Sequence, residues 1–186
     1  IPFADFRADP RAAPLSTPSG KIEIFSETIA AFGYAECPGH PCWQAPDEWL
    51  GAELAERYPL HLVSPQPGDK LHSQMECALA DLPGARPTAI EINPADAAAR
   101  GIDDGDLVKV FNERGACRAR AHLSEQIRPS VVSLPTGAWF EAGDDGSDVQ
   151  GNPNVLTRDL GTSRIGQGCS AHTTLVQIAR LQTGDE

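Results

Sequence analysis

Two stretches of the chain carry side chains whose types and spacing suit them to hold a polar ligand. In Gln150-Gly-Asn-Pro-Asn-Val-Leu-Thr157 two asparagines flank a proline. The fixed φ of Pro153 stiffens the turn, so the carboxamides of Asn152 and Asn154 project in defined directions as a ready-made donor and acceptor pair. In Ser64-Pro-Gln-Pro-Gly-Asp-Lys-Leu-His-Ser-Gln74 donors crowd together and apolar residues are few; a connection of this length inside a compact domain is more often functional than idle. With 15 basic against 26 acidic residues the formal charge is −11. That balance argues against a nucleic-acid surface, which needs clustered Lys and Arg to displace counterions from phosphates, and any anionic ligand has to be held by local groups.

Other reactive side chains are less organised. The five cysteines, Cys37, Cys42, Cys77, Cys117 and Cys169, are scattered, and only Cys37 and Cys42 lie close, within the proline-rich turn Cys37-Pro-Gly-His-Pro-Cys-Trp43. Paired short spacings of the kind zinc or iron–sulfur sites use are absent, so the cysteines read as small hydrophobes and His40 as a loop histidine; no metal ligand is assigned. No run approaches the roughly 20 apolar residues of a membrane helix. The opening Ile1-Pro-Phe-Ala-Asp, without Met, suggests a piece of a longer polypeptide, which leaves the compartment, cytoplasmic or periplasmic, open.

The elements that must position these residues are clearest between Thr88 and Pro135. Thr88-Ala-Ile-Glu-Ile92 reads as a strand, Asn93 as the cap of a short helix with Pro94 at its first position, and Gly101 as its stop. Leu107–Phe111 alternates as a half-buried strand, and Asn112–Gly115 turns the chain, exposed, into an antiparallel partner at Ala116–Leu123. Val131–Leu134 is a compact apolar run closed by Pro135. Outside this stretch, Leu60–Val63 and Thr173–Ala179 read as strands, Ser19–Phe25 as another, Ser26–Phe32 as a short helix ended by Gly33, residues 46–57 as a surface helix or loop, and residues 1–18 as an extended tail. The acidic, glycine-rich run from Glu141 to Asp148 reads as a mobile loop, and Trp139 as core or interface. Short strands with few helices describe a mainly β fold, a barrel or curled sheet. The expected division is 1–57 as an N-terminal extension with lead-in elements and 58–186 as the barrel.

Taken together, Thr17-Pro-Ser-Gly-Lys-Ile-Glu-Ile24, Leu71-His-Ser-Gln74, Ile92-Asn-Pro-Ala-Asp-Ala-Ala98 running on to Gly105-Asp-Leu-Val108, and Gly151–Thr157 resemble, in order and spacing, the C-terminal cofactor-binding domain of the dimethyl sulfoxide reductase family of molybdenum oxidoreductases. Pro38-Gly-His-Pro41 and Gly151–Thr157 with Gly166-Gln-Gly-Cys-Ser170 are most similar to the branch that reduces biotin sulfoxide, trimethylamine N-oxide and dimethyl sulfoxide.

The resemblance implies a six-stranded double-psi β-barrel that covers part of a molybdopterin guanine dinucleotide, the bis form in the parent enzyme. It places the metal ligand and most of the substrate funnel in other domains of that parent. The partners implied are those domains and the cofactor, with no nucleic acid and no membrane, and the isolated chain is expected to be inactive. A pterin is a flat heterocycle edged with donors and acceptors, a task that suits Asn152, Asn154 and Gln167. The pyrophosphate suits Gly68, Lys70, His72, Ser73 and Gln74, with Ser64 and Gln66 able to contact either end. Each assignment has a structural alternative: His72 fixing its own loop, Lys70 solvated, Asn152 or Asn154 building only an Asx-turn. A competing function is a non-enzymatic binding or interaction module on the same barrel.

Overall fold

The computed structural model describes residues 2–75 and 87–181; the Cys77 reading falls outside them. The chain divides into two compact units, one of residues 1–45 with 163–167 and one of residues 46–162 with 168–186.

The second unit is a closed barrel of six strands, in the order β1-β5-β2-β4-β3-β6. These are β1 Leu60–Val63, β2 Ala89–Ile92, β3 Leu107–Phe111, β4 Ala116–Leu123, β5 Val131–Ser133 and β6 Thr174–Arg180. Pairings β1–β5 and β2–β4 are parallel and the other four are antiparallel. Exchanging β1, β2, β3 for β4, β5, β6 maps this strand order onto itself, the pseudo-twofold of a double-psi barrel. Alternation along the strands sets what lies inside: Leu60 and Leu62, Ile90 and Ile92, Val108 and Val110 are all buried. β4 faces them with Cys117, Ala119 and Ala121, small residues that let a narrow barrel close around the large ones. Truncating one of these, as in Leu62→Ala, costs about 2–5 kcal/mol through lost transfer energy and the cavity left behind.

The helix between β2 and β3, α3 (Pro94–Ala98), is positioned by its cap. Asn93 is extended, its Oδ1 accepts from Ala95 N at 3.0 Å, and its Nδ2 donates to Ile127 O at 2.8 Å, tying the helix start to the chain before β5.

The first unit holds two short helices, α1 (Ala4–Ala8) and α2 (Glu27–Ala30). Ser26 caps α2, accepting from Ile29 N, as its sequence implied. Two expectations fail here. Residues 1–18 are not an extended tail, since α1 forms within them. Ser19–Phe25 forms no strand: its alternation is present, but Ile22 and Ile24 are 74% and 77% exposed and no ladder pairs with the segment. A strand needs a neighbour to take its N–H and C=O groups, and among the described residues of this unit there is none. Arg164 stacks over the Tyr34 ring, 4.6 Å from its centroid, and pairs with Glu36, whose carboxyl is held low by its own backbone hydrogen bond and then by Arg164.

Candidate functional site

The registers decide which loops share an end of the barrel. Val63 lies opposite Ser133, Leu62 opposite Thr174, Phe111 opposite both Ala116 and Gln177, and Ala89 opposite Arg120. One end therefore collects the exits of β1, β3 and β5 and the entrances of β2, β4 and β6. The Ser64–Gln74 loop leaves β1 there. The turn at Asn152 is fastened to the same end through Thr88, whose N donates to Gln150 O, and through Asp148, which bridges β4.

The loop is braced by its own side chains and by the segment after β5. Gln66 donates from Nε2 to Lys70 O at 2.7 Å and accepts from His72 N at 3.3 Å, so its carboxamide is spent on the loop. Leu71 and Gln74 bridge each other, and Trp139 Nε1 donates to Ser73 O at 2.9 Å. Trp139 is half exposed, and its indole N–H stitches the loop to the chain beyond β5. His72 takes a positive φ, 54°, with its carbonyl against Gly137, itself at φ 104°. A side chain at position 137 would collide with that carbonyl. His72, Ser73 and Gln74 are exposed and Lys70 is half-buried. Ser64 differs: it is only 8% exposed, and its Oγ has no hydrogen-bond partner among the described residues.

Across the barrel end, Asn152 repeats the device seen at Asn93. Its Oδ1 accepts from Asn154 N at 2.9 Å and Pro153 opens a single 3-10 turn, Pro153–Val155. The oxygen of Asn152 is thus used as a cap, while Asn154 is exposed. Gly151 sits at φ 87° with Thr88 beneath it, where a Cβ would come within 2.8 Å of the threonine Cβ. Gln167 lies in the other unit, within residues 163–167, and donates from Nε2 to Ser163 O at 2.9 Å.

Several residues that hold this end were not singled out from sequence. Glu48 is buried and accepts from both terminal nitrogens of Arg114 (2.8 and 3.0 Å) and from Leu175 N (2.9 Å). Arg114 and Asn112 both donate to Leu156 O, so the β3–β4 turn grips the residue after the 3-10 turn. Asn112 is accordingly buried, and Asn112–Gly115 is not the exposed turn its sequence implied. The Glu141–Asp148 run is anchored at its C-terminal end. Ser147 and Asp148 are buried, and Asp145 is held well below the usual carboxylate range by the Ser147 hydroxyl and then by Lys109. Polar residues beside glycine signal a loop, but sequence gives no sign of which carboxylate turns inward.

The sequence profile of the molydopterin dinucleotide binding domain matches residues 60–175, from the first residue of β1 into β6. The chain belongs to this family. It is 51% identical over 179 residues to biotin sulfoxide reductase of Cereibacter sphaeroides, covering 95% of this chain and 24% of that protein. It is 44% identical to dimethyl sulfoxide/trimethylamine N-oxide reductase of the same organism (97% and 22%) and 46% identical to trimethylamine-N-oxide reductase 1 of Escherichia coli K12 (94% and 22%). The chain therefore spans about a quarter of the length of these relatives, all oxidoreductases. Acetylene hydratase from Pelobacter acetylenicus shares the fold, with a TM-score of 0.71 at 20% identity over 93% of this chain and 25% of that one.

Proposed function

We propose that this chain is the dinucleotide-binding barrel of a molybdenum oxidoreductase that reduces S-oxides or N-oxides by oxygen-atom transfer, with molybdopterin guanine dinucleotide laid across the barrel end that carries Ser64–Gln74 and Asn152–Asn154. The observation that carries the reading is identity of 44–51% running along at least 94% of the chain to three reductases of such oxides.

The residues present fit the group. Ser64 Oγ and Gln150 Oε1 are buried polar atoms at this end without a partner among the described residues, the condition a heterocycle rich in donors and acceptors relieves. Asn154 is exposed on a rigid turn and supplies a planar amide, while Lys70, His72 and Ser73 supply cation and donors for the phosphates. Gln66 is left with the task of bracing the loop. The cofactor, when bound, supplies two-electron chemistry by which an S-oxide or N-oxide, with two electrons and two protons, becomes the sulfide or amine and water. This chain's residues orient the dinucleotide and cover it from water; the metal's protein ligand belongs to another domain.

The test is the purified full-length parent, assayed for molybdenum, for guanine nucleotide released by acid, and for reduction of biotin sulfoxide, trimethylamine N-oxide and dimethyl sulfoxide with a reduced viologen. Molybdenum with guanine nucleotide and turnover of at least one oxide is the expected result. A cofactor-loaded parent that reduces none of them refutes the proposal.

A further inference from the structure

We infer that Asp148 is a positioning residue for the heterocyclic end of the dinucleotide: its carboxylate fills the amide nest of the 150–152 turn, so that the turn meets the ligand with side-chain carboxamides and the phosphates are left to the Ser64–Gln74 loop. The inference rests on the proposal that the dinucleotide occupies this barrel end.

Asp148 is fully buried. Its Oδ2 accepts from the backbone N of Gln150, Gly151 and Asn152, at 3.2, 2.8 and 2.7 Å, and its Oδ1 from Glu141 N at 2.9 Å. Consecutive N–H groups converging on one point are what phosphate-binding loops present to an anion. Here the anion is built into the chain and locked in place, because Asp148 N donates to Ala116 O and Arg118 N to Asp148 O, bridging it to β4. A turn whose amides are already spent has none left for a phosphate.

What the turn retains is set by the same contacts. With the Asn152 and Gln150 amides fixed, Asn152 Oδ1 caps Asn154 N, and Gln150 Nε2 is directed onto the Glu141 carboxylate. Gln150 is 8% exposed and its Oε1 has no partner among the described residues. The acceptor is therefore kept for an N–H donor, which the edge of a pterin offers and a phosphate does not.

The experiment uses the full-length parent produced in a host unable to make molybdopterin, titrated with two probes: GDP, and molybdopterin lacking the nucleotide. Asp148→Asn places an amide N–H against one set of donors. It is expected to weaken molybdopterin binding at least tenfold and to leave GDP within twofold of wild type. A purely structural role moves both together, and equal losses overturn the inference, as does loss of GDP alone or no change in either. Asn154→Asp, on an exposed side chain, tests the same orientation without touching the core: molybdopterin is expected to weaken at least fivefold with GDP unchanged, and a matching loss of GDP overturns it. If the wild-type parent takes neither probe, the proposed function fails and this inference with it; if it takes both and the Asp148 variant does too, the inference alone fails.

Discussion

Replacing Arg114 by Met removes one partner of a buried ion pair and leaves the other in place. Glu48 keeps the bond from Leu175 N, but its nearest remaining cation is Arg158, with Nε 3.8 Å from Oε1. Breaking such a pair costs about 3–5 kcal/mol. The Glu48 side chain is 3% exposed but that of Arg114 is 23% exposed, so solvent softens the loss and the lower figure, about 3 kcal/mol, applies. For a domain of this size about 1 kcal/mol moves Tm by 2–4 °C, so Arg114→Met is expected to lower Tm by roughly 6–12 °C, read by calorimetry on the 186-residue chain. Because the loss comes mainly from the stranded charge, Glu48→Gln added to Arg114→Met removes that charge while keeping an acceptor for Leu175 N. The double variant is expected to melt above the single one. A Tm for Arg114→Met within about 3 °C of wild type, equivalent to about 1 kcal/mol, or a double variant less stable than the single, refutes the reasoning.

Further outcomes follow from the same contacts. Gly137→Ala strains a position at φ 104° and drives a methyl into His72 O; it is expected to cost about 1–3 kcal/mol and to raise amide exchange across the Ser64–Gln74 loop. Asn154→Ala in the full-length parent is expected to weaken cofactor retention by about 1–3 kcal/mol, roughly 5- to 150-fold, measured as guanine nucleotide per protein. Burial first, and the neighbouring Asp148 second, push the Cys117 thiol up. A thiol raised in the folded state gives stability that is full below its unfolded pKa of about 8.5 and declines as pH rises beyond it, by at most about 1.4 kcal/mol per pH unit. Cys117 is expected to resist alkylation at pH 8 under conditions that label the exposed Cys42 and Cys169, and Cys117→Ala is expected to flatten the loss of stability between pH 8.5 and 10.

All six strands were legible, β1 to β4 because their alternation agrees with what each buries, β5 and β6 as short β-rich apolar runs, and β3 with β4 because a turn signal separates two alternating runs. Asn93 and Ser26 were legible as caps because their geometry is local. Ser19–Phe25 shows the limit of that reasoning, since a pleated pattern records only that one face can be buried and says nothing of whether a partner strand exists. Asn152 and Asn154 were legible as polar residues on a proline-stiffened turn, and Ser64 and His72 as polar residues of a long donor-rich loop. Glu48, Arg114 and Asp148 were not, because a charged side chain turned inward, by Arg114 and Leu175 N far along the chain for Glu48 and by the amides of its own turn for Asp148, looks in sequence like any solvated charge. Gln66 and Asn152 show how a residue type suited to a ligand is partly consumed by the fold that presents it.

In the proposed complex one dinucleotide spans the Ser64–Gln74 loop and the Gln150–Asn154 turn. Amide hydrogen exchange of the full-length parent, cofactor-loaded against cofactor-free, tests it most directly. Loading is expected to slow exchange in both segments together, whereas protection confined to one of them, or absent from both, contradicts a ligand that bridges them.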